Sequence, residues 1–156
     1  MAAMTDFLEN KLIDFLFRAQ ALGITGATAA AATGPASLHV GLLTAAPADG
    51  AAGTEVTGGS YARVLVTSAL GAWDNTQAAS SAAVSSGATG TTRNQGAITF
   101  PAPTANWGVV THVAIYDAAS AGNMLIYSAL TVSKTVNSGD AAPSFAANAL
   151  TFQIDN

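Results

Sequence analysis

The feature that most constrains this chain is a series of short β-patterned segments, each bounded by turn-forming residues. Residues 38–44 set Leu38, Val40 and Leu42 against His39, Gly41 and Leu43, and residues 61–67 set Ala62, Val64 and Val66 against Tyr61, Arg63 and Leu65. A period of two is what a strand with one wetter face produces. Residues 97–101, 109–116, 124–130, 131–136 and 150–154 are β-rich as well, with 118–123 placed to link a hairpin and 137–143 to form a second turn. About seven or eight short strands at this spacing predict a mainly β fold, an antiparallel β-sandwich. Pro47, Asp49, Gly50, Gly53, Gly58 and Gly59 mark residues 45–59 as a long loop. Residues 69–96 are the least legible, Ala, Ser, Thr and Gly around Trp73. That stretch is too long for an unstructured loop and predicts a short strand pair.

A different period opens the chain. Leu8, Leu12, Phe15, Leu16, Ala19 and Leu22 recur on one helical face, while Asp6, Asn10, Lys11, Asp14 and Arg18 fall largely elsewhere. This predicts one N-terminal amphipathic helix of about five turns, capped by Thr5 and closed at Gly23. Asp14 and Arg18, four apart with the acid first, add only a few tenths of a kcal/mol. Phe7 and Phe17 widen the apolar stripe, so the helix either lies across its own sandwich or docks on a neighbouring subunit. Residues 24–37, Gly, Ala and Thr with Pro35, read as a flexible arm. The expected organisation is a helix and arm over 1–37 and a β-sandwich domain over 38–156.

Composition narrows the function. A chain of 156 residues can bury a core without staples, which matters because it has no cysteine. Only 9% of residues are charged, against about a quarter in an ordinary domain, and the net charge is −4. No basic block could release counterions from a phosphate backbone, so nucleic acid is not an expected partner. Glu9, Lys11, Asp14 and Arg18 interrupt the first apolar stretch, which speaks against a membrane span. A surface poor in charge and rich in Ala, Ser, Thr and Gly suits burial between subunits.

Reactive chemistry has little to work with. His39 and His112 are the two histidines, each among apolar neighbours in a strand pattern, and each reads as structural. His112 and Asp117, five apart, fall on opposite faces of a regular strand and make a poor dyad. The nine acidic residues are scattered, without the spacing of a calcium loop, and the paired glycines lack the Lys and helix of a phosphate cradle. No catalytic, cofactor or metal residue is nominated, and the chain is not expected to be an enzyme. The nominated residues are interface candidates: Phe7, Leu8, Leu12, Phe15, Leu16, Phe17, Arg63 and Trp73. Arg63 could pair with a carboxylate across an interface or stand solvated at an edge. Trp73 and Trp107 read as packing anchors or as platforms for a partner.

Six segments carry a resemblance through their order and spacing. They are Thr5-Asp6-Phe7-Leu8-Glu9-Asn10-Lys11-Leu12, His39-Val40-Gly41-Leu42-Leu43-Thr44-Ala45-Ala46-Pro47, Gly58-Gly59-Ser60-Tyr61-Ala62-Arg63, Ala97-Ile98-Thr99-Phe100-Pro101, Trp107-Gly108-Val109-Val110-Thr111-His112, and residues 129–140 from Ala129 to Asp140. Together they resemble a family of small bacteriophage virion proteins labelled either tail-fibre or head-decoration (cement) proteins. The resemblance implies a structural role on the outer surface of the virion, after synthesis in the host cytoplasm, and lends no catalytic residues. Residues 24–34 and 74–92 are longer and richer in Ala and Ser than that family's pattern.

A fibre shaft needs heptads or a repeat, and neither is present. The expectation is therefore a capsid decoration protein that forms homotrimers and contacts the major capsid protein or another phage structural protein. A tail-fibre or tail-adaptor protein is the first alternative. A lectin-like carbohydrate-binding module, using exposed tryptophans, is the second.

Overall fold

A computed structural model describes residues 4–23, 34–48, 51, 53–74 and 83–154. Their elements run α1 (Asp6–Arg18), β1 (Ser37–Ala45), β2 (Thr54–Glu55), β3 (Val64–Thr67), β4 (Thr91–Arg93), β5 (Ile98–Thr99), β6 (Gly108–Tyr116), β7 (Met124–Val136), β8 (Ser144–Phe145) and β9 (Thr151–Gln153). The chain is mainly β, with antiparallel pairing between the strands and one N-terminal helix, as the alternation predicts. Most of the expected arm, residues 24–33, lies outside the described residues. Two compact units form, one from residues 1–37, 67–97 and 146–156, the other from 38–66 and 98–145.

The first unit packs α1 with the β4–β9 ribbon. Phe17 meets the Trp73 ring edge-on at 4.8 Å and stacks on Phe152 at 5.6 Å, and all three side chains are buried with Ile13. Asn94 is buried and well satisfied, its Nδ2 donating to the carbonyls of Gly96 and Ala146 and its Oδ1 accepting from the Leu150 N–H. Trp73 bridges to Asn94 beside β4, which supplies part of the pairing expected in 69–96, while 75–82 lie outside the described residues.

The helix corrects two expectations. It ends at Ala19, which takes the left-handed conformation (φ 53°), well before Gly23, and the Gln20 N–H returns to the Asp14 carbonyl at 2.9 Å. Thr5 occupies the N-cap through its carbonyl, which accepts from the N–H groups of Leu8 and Glu9, with no side-chain cap bond. More surprising is which face is inside: Glu9, Asn10, Asp14 and Arg18 are buried with Ile13 and Phe17, whereas Leu8, Leu12, Phe15 and Leu16 are half-buried.

The reason lies in residues 83–87. The Arg18 Nη2 donates to the Ala83 carbonyl (2.7 Å), the Asp14 carboxylate accepts from the Ser85 N–H (2.7 Å), and the Asn10 Nδ2 donates to the Gly87 carbonyl (2.9 Å). Helix residues four apart rise about 6 Å on one face, so side chains at 18, 14 and 10 meet backbone positions at 83, 85 and 87 in turn. The polar stripe is thus a ladder that holds residues 83–87, and its charges are buried because that segment covers them.

The second unit is built on a five-stranded sheet ordered β2-β1-β6-β7, with β3 also pairing with β1, and on a β5–β8 ribbon. β1 is buried over residues 38–43 on both faces, unlike the one-wet-face strand its alternation predicts, because the side chains of Tyr116, Glu55 and Tyr61 cover the face that carries Gly41. β3 starts at Val64 rather than Tyr61, since Tyr61 closes a turn with the Gly58 carbonyl. The segments 124–130 and 131–136 form one strand, both pairing with β6.

Candidate interaction surface

β7 is the outermost strand of its sheet, and no strand among the described residues pairs with its outer edge. Its exposure alternates: Met124, Ile126, Ser128 and Leu130 are half-buried, while Leu125, Tyr127 and Ala129 are exposed. Two irregularities shape it. Residue Leu125 is surplus where the pairing passes from Ile115–Ile126 to Tyr116–Met124, and residues 130–133 stand opposite Thr111 alone, between the pairs His112–Ala129 and Val110–Lys134. Such bulges bend an edge strand and interrupt its ladder. The larger one thrusts Val132 into solvent at 78% exposure.

The bulge also borders a groove of about 390 Å³, whose lining includes Leu130, Val132, Lys134, Val110, Phe100 and Phe145. A second hollow of about 480 Å³ lies at the other end of β7, against Ala48, Ala51 and residues 122–127. Apolar side chains and an unpaired edge lie together along this strand, a combination that soluble proteins normally cover or guard with charge.

Elsewhere on the same sheet sits a polar cluster. Arg63 grips Glu55 through two parallel bonds (Nε to Oε1 2.8 Å, Nη2 to Oε2 2.7 Å), and its Nη1 donates to the carbonyls of Ala118 and Ala121. Its guanidinium lies 3.4 Å from the centre of the Tyr116 ring. Tyr61 donates to Glu55 Oε1 (2.9 Å) and accepts from the Leu42 N–H (2.8 Å). Burial pushes the Tyr61 phenol far above its usual range against the Leu42 bond, and the Glu55 charge adds to the rise. Burial likewise raises Tyr116, and the Glu55 carboxylate holds Arg63 protonated beyond its usual value. The cluster fits because position 41 is glycine: a Cβ there would stand 2.8 Å from Tyr116 Cε2, 3.0 Å from Glu55 Oε1 and 3.1 Å from the Tyr61 hydroxyl.

Arg63 therefore clamps the β6–β7 hairpin loop onto the sheet; it is neither a solvated edge residue nor a free cation for a partner. In that loop the Asp117 carboxylate accepts from the backbone and side-chain N–H groups of Asn123, both at 2.7 Å, and these bonds hold it below the usual carboxylate range. His112 Nδ1 lies 2.8 Å from Thr111 Oγ1, so His112 and Asp117 engage different partners.

The other nominated residues divide. Phe7 is 58% exposed, Leu8, Leu12, Phe15 and Leu16 are half-buried, and Phe17 and Trp73 are core. Trp107 is buried too, its Nε1 donating to the Gly59 carbonyl at 2.9 Å and its ring meeting Tyr61 edge-on. With both tryptophans buried, neither offers the stacking platform on which the carbohydrate reading rests. Leu125, Tyr127 and Val132 escaped sequence reasoning, because alternation marks a strand without revealing whether it lies at an edge. Among the described residues no group of acidic or imidazole side chains could hold a metal ion, and no helix is long and apolar enough to cross a membrane.

Residues 3–153 match the sequence pattern of a family described as podophage GP4 fiber I protein gp80. None of the curated proteins matches the chain.

Proposed function

The chain belongs to the family of the podophage GP4 fiber I protein gp80, a phage structural family, and on that premise we propose that it is a non-enzymatic module of the phage fibre apparatus. The observation that carries this reading is the family's pattern running through 3–153, across both compact units. A joining or adaptor module suits the geometry better than a shaft. A shaft gains length from heptads or repeated β-units, whereas the helix here is a single 13-residue element and the strands close into two separate units. Its partners are other structural proteins of the particle and further copies of itself.

Head decoration is the second reading, favoured by the low charge (9% of residues), which suits many weak contacts repeated over a lattice. Quantitative densitometry of purified virions separates the two. A fibre module is expected in single digits or low tens of copies, and its loss abolishes adsorption. A count in the hundreds, with loss of head robustness, overturns the fibre reading in favour of decoration.

A further inference from the structure

We propose that the outer edge of β7 pairs antiparallel with the β7 edge of a second copy, about a two-fold axis passing at Tyr127. The proposal goes beyond the fibre reading and does not depend on where on the particle the protein sits.

Charge complementarity is the first argument for a second copy. Asp117, held against Asn123, places an exposed anion at one end of β7, and exposed Lys134 places a cation near the other, with no charged residue between 124 and 133. Measured along β6, the partner of Tyr127 is Ala114. Asp117 lies three residues beyond Ala114, and Val110, the partner of Lys134, lies four before it. A two-fold at Tyr127 therefore brings Lys134 of each copy to within one residue, along the strand, of Asp117 of the other, which lies one strand in from the edge and within the reach of a lysine side chain.

Shape gives the second. The bulge that lifts Val132 out of β7 stands at the Lys134 end, and the hollow of about 480 Å³ against Ala48 and Ala51 stands at the Asn123 end. The same axis carries each projecting Val132 toward the other copy's hollow, and it sets Leu125 and Ala129 across from each other on the exposed face. A two-fold contact must be self-complementary in this way, knob and hole on one patch. The stretch 126–129 supplies the regular ladder at its centre, uninterrupted by a bulge.

The test is light scattering on the purified full chain at micromolar concentrations, where the proposal expects a dimer. Tyr127→Lys sets two cations opposite each other on an exposed position and is expected to give a monomer with an unchanged far-ultraviolet circular dichroism spectrum. Lys134→Glu is expected to weaken the dimer about tenfold, since each Asp117 then faces a like charge. Val84→Lys, at a still more exposed apolar position in the first unit, leaves the dimer intact. Because the chain has no cysteine, Tyr127→Cys gives a single thiol that mild oxidation joins across the axis, where residues directly opposite have Cα atoms about 4.5–5.5 Å apart. Leu65→Cys, exposed on β3, does not cross-link. A wild-type monomer or trimer, a dimer that survives Tyr127→Lys, or equal cross-linking from both cysteine variants overturns the proposal.

Discussion

Asp14 accepts from both the backbone N–H and the hydroxyl of Ser85, at 2.7 and 2.6 Å, across 71 residues of sequence. The same carboxylate pairs with Arg18 at 2.6 Å, and the two side chains are 3% and 0% exposed. A pair that would contribute little on a helix surface is thereby turned into a buried network that ties α1 to residues 83–87.

Removing either partner leaves the other charge buried and uncompensated. Asp14→Ala and Arg18→Ala are each expected to cost about 3–5 kcal/mol, an order of magnitude above the value for an exposed pair at the same spacing. Chemical denaturation measures this, and a loss below about 1 kcal/mol would mean the network is solvated. Ser85→Ala removes only the hydroxyl and should cost about 1 kcal/mol.

Gly41→Ala drives a methyl into Tyr116, Glu55 and Tyr61 in the middle of a strand whose neighbours cannot retreat. We expect a loss of about 1–3 kcal/mol from overpacking, although alanine suits a strand interior better than glycine does. The change should also loosen the hairpin loop, because Arg63 holds Ala118 and Ala121 from the same cluster. Faster hydrogen exchange at Asn123 in the variant would report that loosening. A variant as stable as the parent would contradict the close packing at this position.

The raised phenols set the alkaline limit. Tyr61 and Tyr116 both ionise above the ordinary value of 10 in the folded state. Their contribution to stability is therefore complete below pH 10 and declines as pH rises beyond it. The phenolate absorbance lost in Tyr61→Phe should appear only together with loss of the tertiary circular dichroism signal. Ionisation of Tyr61 near pH 10 in an intact fold would contradict its burial.

At the acid end the sign reverses. Asp117 is held below 3.8 by Asn123, so the loop is supported above that value and loses the support as pH falls further. The carboxylate carbon of Asp117, followed by NMR, should titrate below 3.8 in the parent and return toward the ordinary value in Asn123→Ala. An unshifted titration in both would mean that the Asp117–Asn123 bonds do not persist in solution.

How far the sequence could be read follows from where structure is locally encoded. β1 and β6 are legible because alternation and turn residues lie within each segment. β2 is two residues, Thr54–Glu55, and exists only because β1 is there to pair with it. The helix is legible but its inside face is not: apolar periodicity selects Leu8, Leu12 and Leu16, while the ladder of Asn10, Asp14 and Arg18 needs a segment about seventy residues away. Arg63 reads as an exposed cation until Glu55, Tyr116 and the space above Gly41 are assembled round it. Edge position is likewise a property of the sheet, which is why Tyr127 and Val132 carry no mark in the sequence.

The most direct measurement of the central claim is a cryo-electron microscopy map of the whole virion, with the two compact units fitted into it. The account predicts that they fit density at the fibre apparatus, against other structural proteins of the particle. Finding this chain absent from purified particles, or its units only in density on the capsid lattice, would contradict it.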